Sequence, residues 1–394
     1  MPQIINPKDK NLPAPSFAEL CRPLQNIIGC APPLESQSNK PPALTFEDQL
    51  KALVFYHLEE HTSGRHLLQA LEEDDFARET AAPVGGIRRS TFFETLNTRG
   101  LEQHFHVYAS LQSYAAALLP LRSDSLGDLV AIDGSLIDAV LSMSWADYRK
   151  GAKKAKIHLG FDISRSVPSA CFLTDGKSGE RPFASPILSP GQTGIMDRGY
   201  QCHRMFDLLQ AEEKSFVCRI KADTKKTVIT EKPVSPGSIV FYDAVVLLGT
   251  PGVNQTEKEV RVVGYRIDNA VYWVATDRSD LSAEEIAAVY KLRWDIEKFF
   301  AWWKRHLKVY HLIVRSKHGL MIQLLAGLIT YLLLALYFKI RHNEKVSIKR
   351  VRQLRSEIRN EYRIPPKKPP LTNNINIIIN LNFRRLCKKH TRHY

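Results

Sequence analysis

The sequence predicts an α/β protein with a small N-terminal helical domain and a β-rich insertion. Short apolar runs of strand type alternate with helical patterns after about residue 125, which is typical of an α/β layer. Residues 225–276 are rich in Val, Thr, Tyr and Gly and show no helical pattern. A hydrophobic fraction of 44% against 24% charged residues lets this 394-residue chain bury a core. That composition excludes a wholly disordered or fibrous protein.

The N-terminal third predicts a flexible arm followed by helices. Residues 1–43 are rich in Pro, Asn and Lys, and residues 44–124 carry apolar residues at helical spacing. Capping boxes at Thr45–Asp48 and Thr91–Glu94 predict the starts of a first and a third helix, with a second over 64–74. Arg88 and Arg89 precede the third helix, so this unit is a candidate helix-turn-helix DNA-binding domain. Most small helical domains bind no DNA, and this signal alone is therefore weak.

The strands of the central unit follow in a fixed order. The first ends at Asp133 and the fourth at Asp197, and the two between them are joined by a turn around 164–166. A helix over 202–213, a strand over 216–220 and a long amphipathic helix over 282–307 complete the layer. Expected strands are 129–132, 156–161, 168–173 and 194–197.

The apolar segment 320–338 is long enough to cross a membrane. A single span after 300 residues of soluble character is unusual, and basic residues flank it on both sides. We therefore expect a helix buried against the sheet, with a membrane anchor as the alternative. The start of the sequence lacks an apolar signal segment, and the six cysteines form no CxxC pair. A reduced, cytoplasmic setting is expected.

The net charge of +14 is concentrated in the C-terminal segment. Residues 339–394 hold sixteen Lys and Arg against three acidic residues. A basic segment attached to a nearly neutral body suggests a polyanionic partner such as nucleic acid or an anionic membrane. The alternative is a solvated tail that keeps the protein soluble. We treat 341–394 as a separate basic segment.

Three acidic residues are candidates for one metal site. Asp133 and Asp197 end neighbouring strands, and Glu297 lies inside the long helix. Clustered carboxylates suit Mg²⁺ or Mn²⁺, and two such ions can promote attack on a phosphodiester. Any one of them alone is more simply a helix cap or a surface charge, so the hypothesis depends on all three together.

The helix around Glu297 carries a polar stripe. Tyr290, Arg293, Glu297 and Lys304 are separated by three, four and seven residues, which keeps them on one helical face. Arg and Lys beside a metal-binding carboxylate would suit contact with a phosphate backbone. The alternative is an ordinary salt-bridged stripe, although Trp and Phe residues occupy the other faces.

These motifs resemble the bacterial insertion-sequence-four family of cut-and-paste DDE transposases. The resemblance rests on Ala131–Ser135, Lys156–Gly160, Asp197–Tyr200 and the Tyr290-Arg293-Glu297-Lys304 spacing, and it covers about 125–340. It implies a ribonuclease H-like mixed sheet flanked by helices, with 225–276 as the insertion. It also implies catalytic and metal-binding roles for Asp133, Asp197 and Glu297, with two Mg²⁺ or Mn²⁺ ions per site.

The resemblance further implies DNA contacts. Tyr290, Arg293 and Lys304 would contact phosphates, and Trp273 would stack on a flipped base, although a strand tryptophan is more often part of a core. The expected function is a DNA transposase that acts on terminal inverted repeats and target DNA, as a homodimer on paired ends, associated with the nucleoid. The alternatives are a nuclease of the same fold without joining activity and an inactive DNA-binding remnant.

Overall fold

The computed structural model describes residues 16–34, 42–119 and 124–363 and contains one nine-stranded mixed sheet flanked by helices. The strand order is β3-β2-β1-β4-β5-β9-β8-β7-β6. The strands are β1 Leu129–Asp138, β2 Lys154–Asp162, β3 Val167–Asp175, β4 Thr193–Met196, β5 Ser215–Arg219, β6 Lys226–Glu231, β7 Val240–Leu248, β8 Val260–Ile267 and β9 Ala270–Thr276.

Helices lie before, between and after these strands. They are α1 Ser16–Ile28, α2 Phe46–Leu58, α3 Gly64–Glu73, α4 Asp75–Ala81, α5 Arg89–Thr98, α6 Leu101–Leu118, α7 Ala184–Ile187, α8 His203–Ala211, α9 Ala283–Lys291, α10 Trp294–His306, α11 Lys317–His342 and α12 Ile348–Arg363.

The first five strands form the ribonuclease H-like half of the sheet. Strands β1, β2 and β3 are antiparallel neighbours, whereas β4 is parallel to β1 and β5 is parallel to β4. Parallel neighbours need a crossover connection, which α7 and α8 supply here. The predicted fold class is confirmed.

The β-rich insertion extends this sheet instead of forming a separate one. Strand β9 pairs antiparallel with β5, and β8, β7 and β6 follow as antiparallel neighbours. No helix lies between β6 and β9, so the prediction for 225–276 is confirmed at the level of secondary structure. The insertion is therefore hydrogen-bonded to β5, which is the neighbour of β4, and β4 leads into Asp197.

Helix α11 is the centre of the helical layer. Its residues 319–338 are all buried, and α1, α2, α5, α6 and β3 pack against it. It is the one helix in the described ranges that length and composition would allow to span a membrane, and its apolar window lies wholly inside the protein. The prediction of a buried helix is confirmed.

Two N-terminal predictions were wrong in detail. Part of the expected flexible arm is helix α1, whose apolar residues Phe17, Leu20 and Leu24 are buried; the interior Pro23 conceals this helix from propensity reasoning. Helix α5 begins at Arg89, because the Arg88 carbonyl accepts the first helical hydrogen bond from Phe92 N at 3.0 Å. The expected capping box at Thr91–Glu94 therefore does not form.

The predicted basic segment 341–394 is only partly described. Its first part contains α12, which packs against α1 through buried Val351, Leu354 and Ile358. Residues 364–394 lie outside the described ranges, as do 1–15 of the predicted arm.

Candidate active site

Asp133 and Asp197 lie side by side because of strand register. Ile132 of β1 is the parallel partner of Met196 of β4, and each aspartate is the next residue in its chain. Strand β4 ends at Met196, whereas β1 continues to Asp138 and pairs Asp133 with Leu159 of β2. The prediction that Asp133 ends its strand was therefore wrong. Pairing of β1 with β4 stops just before Asp133, whereas pairing of β1 with β2 continues to Asp138.

The environment of Asp133 disfavours its charge. Burial raises the pKa of Asp133 to about 6, and the nearby carboxylates of Glu180 and Asp197 act in the same direction. The Gly134 backbone N–H, which donates to Asp133 Oδ1 at 2.8 Å, and the Arg293 guanidinium partly offset these effects. Carboxylates gathered in this way repel one another, so the site favours a bound positive charge.

Asp197 caps the turn that follows β4. Its Oδ1 accepts a hydrogen bond from Gly199 N at 2.8 Å, and its carbonyl is 3.4 Å from Cys218 Sγ on β5. Arg181 Nε donates to Gly199 O at 2.9 Å and so ties the loop after β3 to this turn. The position of Asp197 is thus fixed from three elements.

Glu297 lies on α10, which packs against β1 and β2. The predicted long helix over 282–307 is wrong, because the chain tightens between α9 and α10. Hydrogen bonds from Arg293 N to Tyr290 O (3.1 Å) and from Ile296 N to Arg293 O (3.2 Å) run i to i−3 there. Glu297 Oε1 accepts from Arg293 at 2.7 Å.

Lys304 reaches β1 from the far end of α10. Its Nζ donates to Leu136 O of β1 at 2.6 Å, three residues beyond Asp133. Burial lowers the pKa of Lys304, and the charges of Asp138 and Asp133 oppose that shift. Tyr290 is buried at the start of the same stripe, and burial raises its pKa.

The donor set fits a divalent cation around Asp133 and Asp197. Both offer hard carboxylate oxygens, which Mg²⁺ and Mn²⁺ prefer, and Asp133 is destabilised as a free anion. Within 16–34, 42–119 and 124–363, no group of three or more Asp, Glu, His or Cys side chains is arranged to hold a metal ion. The structure brings the two aspartates together and leaves Glu297 paired with Arg293.

Comparison with known proteins identifies the family. A family model described as a transposase DDE domain matches residues 124–333, more than half of the chain. The chain belongs to this family. The resemblance drawn from the motifs over 125–340 is confirmed at this level.

Relatives named as transposases support the assignment. The putative transposase y4zB of Sinorhizobium fredii (strain NBRC 101917 / NGR234) is 29% identical over 220 residues, 54% of this chain and 62% of the relative. The probable transposase for insertion sequence element IS5377 of Geobacillus stearothermophilus is 30% identical over 212 residues, 52% of this chain and 55% of the relative. The putative transposase for insertion sequence element IS4SA of Synechocystis sp. (strain ATCC 27184 / PCC 6803 / Kazusa) is 24% identical over 258 residues, which are 63% of this chain and 71% of the relative.

Sequence reasoning missed one carboxylate of the DDE domain, Glu180. Its Oε1 lies so close to β1 that a Cβ added at Gly134 would be 2.7 Å from it, and Lys156 Nζ is 3.2 Å from the same oxygen. The buried hydroxyl of Tyr200, which finds no hydrogen-bond partner among the described residues, is near Glu180, Asp133 and Asp197. Glu180 follows β3 in a loop without a periodic pattern. The one signal in the sequence is that Glu180 is the single Glu of that loop.

Trp273 and His158, a residue of the Lys156–Gly160 motif, occupy different places in the transposase fold. Trp273 is half-buried on β9, with Lys226 Nζ 4.5 Å from its ring centroid and Phe241 edge-on at 5.3 Å. His158 stacks on Phe183 at 4.0 Å, and burial lowers the pKa of His158 to about 4. These contacts favour a packing role for His158.

The last two, Arg88 and Arg89, are exposed at the start of α5, which packs against α11.

Proposed function

We propose that the protein is the transposase of an insertion sequence, which binds terminal inverted repeats and catalyses cut-and-paste DNA cleavage and strand transfer. The observation that carries the proposal is the register that aligns Asp133 with Asp197 at the end of the β1–β4 pairing, within a DDE domain. Acidic residues aligned on adjacent strands in a ribonuclease H-like sheet suit phosphodiester chemistry.

In this proposal Asp133, Asp197 and Glu297 hold two Mg²⁺ or Mn²⁺ ions. When bound, the metal ions activate the attacking oxygen and stabilise the leaving oxygen of a phosphodiester. Arg293 keeps Glu297 paired before the site is loaded, and it counters the repulsion at Asp133. Glu180 orients Lys156 beside this site.

DNA contacts are assigned by proximity to the site and by charge. Lys304, held over β1, and Arg293 would meet phosphates beside Asp133, together with Tyr290. Trp273 would meet a displaced base once Lys226 leaves its face.

Arg88 and Arg89 would contribute to repeat binding by the 44–124 helices. The 341–394 segment adds sequence-independent phosphate contacts. A homodimer on paired ends, in the bacterial cytoplasm and associated with the nucleoid, is the proposed working form.

The test is cleavage and joining of a fragment carrying the DNA that flanks the gene, with Mg²⁺ or Mn²⁺. We expect Asp133→Asn, Asp197→Asn and Glu297→Gln each to lower the cleavage rate by about a thousandfold or more, as for residues that act as one catalytic unit. Asp138→Asn is the matched control, since this exposed carboxylate ends the same strand.

Three variants cleaving at the wild-type rate would overturn the triad. Cleavage by the wild-type protein without any joined product would instead assign a nuclease, and binding without either reaction would assign an inactive remnant.

A further inference from the structure

A basic pocket lies beside Asp197, on the side of the insertion. It has a volume of about 530 Å³ and opens between the turn after β4, the start of α8, the β5–β6 connection and the β7–β8 loop. Four cationic side chains line it: Arg181, Arg198, Arg204 and Lys221. We refer to it as the α8 pocket.

The walls of the α8 pocket are held in place by polar side chains. The Gln201 Oε1 accepts from Lys221 N at 2.9 Å, and its Nε2 donates to Thr224 Oγ1 at 2.9 Å. His203 Nδ1 lies 2.6 Å from Asn254 O. These bonds join the turn after Asp197 to the insertion, so the pocket exists before any ligand arrives.

The pocket also has an acidic wall that is largely satisfied. Asp207 accepts hydrogen bonds from the backbone N–H groups of Glu257 (3.1 Å) and Lys258 (3.0 Å), so its carboxylate is committed to holding the β7–β8 loop. Glu257 is an exposed carboxylate at the rim. Against these two negative charges stand the four cationic side chains, none of which forms an ion pair in the described part of the chain.

The start of α8 adds a further anion-binding feature. Helix α8 has nine residues, and its N-cap Cys202 supplies no side-chain hydrogen bond to the first turn. Uncapped N–H groups and the helix dipole favour a negative charge there. Arg181, Arg198, Arg204 and Lys221 are all exposed and open to a ligand.

We propose that the α8 pocket binds a backbone phosphate of the DNA strand that passes Asp197. Arg181, whose Nε holds Gly199 O two residues from Asp197, ties the pocket to the reacting centre. A phosphate held here fixes the strand in register with the catalytic aspartates, since phosphate contacts position a nucleic acid without reading its sequence. This inference rests on the proposed transposase function and assigns the pocket a place on its substrate.

The test compares Arg204→Gln and Lys221→Gln, alone and combined, with Lys258→Gln. Lys258 is exposed in the β7–β8 loop but does not line the pocket, so Lys258→Gln is a control with the same change of charge as each single variant. Binding of the full chain to a duplex carrying the flanking DNA is measured by fluorescence anisotropy over a salt series. Each lost phosphate contact lowers the slope of log K against log[salt] by about 0.9 for duplex DNA.

We expect the slope of log K against log[salt] to become shallower by about 0.9 in the double variant, on the flanking DNA and equally on unrelated duplexes. Lys258→Gln should keep the wild-type slope. An unchanged slope in the double variant overturns the α8 pocket and would fit an acidic protein partner instead. An equal loss in Lys258→Gln also overturns it, because a general charge effect would then suffice. No salt-dependent binding by the wild-type protein would overturn the proposed function as well.

Cys202 provides a second readout because it lines the pocket as a half-buried free thiol. Saturating DNA should slow its alkylation, measured on the Cys202 peptide by mass spectrometry, in the wild-type protein and not in the double variant. An alkylation rate that DNA leaves unchanged in the wild-type protein contradicts the proposal. Circular dichroism of each variant controls for misfolding.

Discussion

The layer around α11 and the end of the β1–β4 pairing are both buried, yet they differ in the charged groups that they hold. In the layer, Tyr56 donates its hydroxyl to His311 O at 3.0 Å, and Thr330 donates to Ala326 O at 2.7 Å. At the site, the Tyr200 hydroxyl and Arg293 Nε find no partner among the described residues, and Asp133 is raised in pKa. Buried polar groups are normally satisfied. Within the described residues the helical layer also keeps unpartnered buried atoms, such as Trp303 Nε1 and His104 Nε2. The two regions differ instead in charge, because residues 319–338 of α11 include no charged side chain, whereas Asp133 lies near the carboxylates of Asp197 and Glu180.

The largest effect on stability is expected in the α11 layer. Leu328 is fully buried on α11, so Leu328→Ala should lower the free energy of unfolding by about 3–5 kcal/mol through lost burial and a residual cavity. Urea unfolding measures this change. Ile340 on the same helix is 42% exposed, and Ile340→Ala should cost less than about 1 kcal/mol. Equal losses for both would show that α11 is not the stabilising centre.

A smaller effect of opposite sign is expected at Asp133. Its folded pKa of about 6 lies above the ordinary 3.8, so the fold loses stability as the pH rises from about 4 to about 6, and the loss is complete above pH 6. Asp133 has no effect of this kind where the group is protonated in both the folded and the unfolded state. Asp133→Asn should therefore raise the free energy of unfolding of the metal-free protein by about 1–2 kcal/mol at pH 8. The gain should shrink as the pH falls through 6 toward 4.

The control for this effect is Asp138→Asn on the same strand, whose carboxylate is 85% exposed. It should not change stability with the pH dependence expected for Asp133→Asn. Thermal unfolding in a chelator at several pH values makes the comparison. A gain for Asp133→Asn that is the same at pH 5 and pH 8 would contradict the assigned cause.

The smallest effect distinguishes two buried tyrosines. Tyr56→Phe removes a hydroxyl with a partner and should cost about 1 kcal/mol, whereas Tyr200→Phe removes an unpartnered hydroxyl and should be neutral or stabilising by a similar amount. Chemical denaturation of both variants measures the difference. The contrast between the two regions fails if Tyr200→Phe is the more destabilising of the pair.

The sequence predicts the parts of the site that depend on local pattern. Apolar strand runs lead directly into Asp133 and Asp197, so their neighbourhood follows once the strands are adjacent. Helical spacing likewise predicts the shared face of Arg293, Glu297 and Lys304. The nine-stranded order was not predicted, because pairing between distant strands leaves no local pattern. The family resemblance implied only a mixed sheet with a β-rich insertion.

Other features depend on tertiary contacts and leave no such pattern. Glu180 reaches Gly134 only because the β3–α7 loop folds back over β1. The tightening at Arg293 replaces one hydrogen-bond pattern with another without Gly or Pro to mark it. Helix α1 is hidden by Pro23, although burial of its apolar face more than compensates.

The continuation of β1 past Asp133 constrains how this chain can change. β1 is paired with β2 on both sides of Asp133, from Val130 to Asp138. An added or deleted residue in β1 would therefore change the register of this pairing. A slip by one position would turn the carboxylate to the opposite face of the sheet. The position of Asp133 in the register of β1 is therefore as important for placing the carboxylate as the identity of the residue.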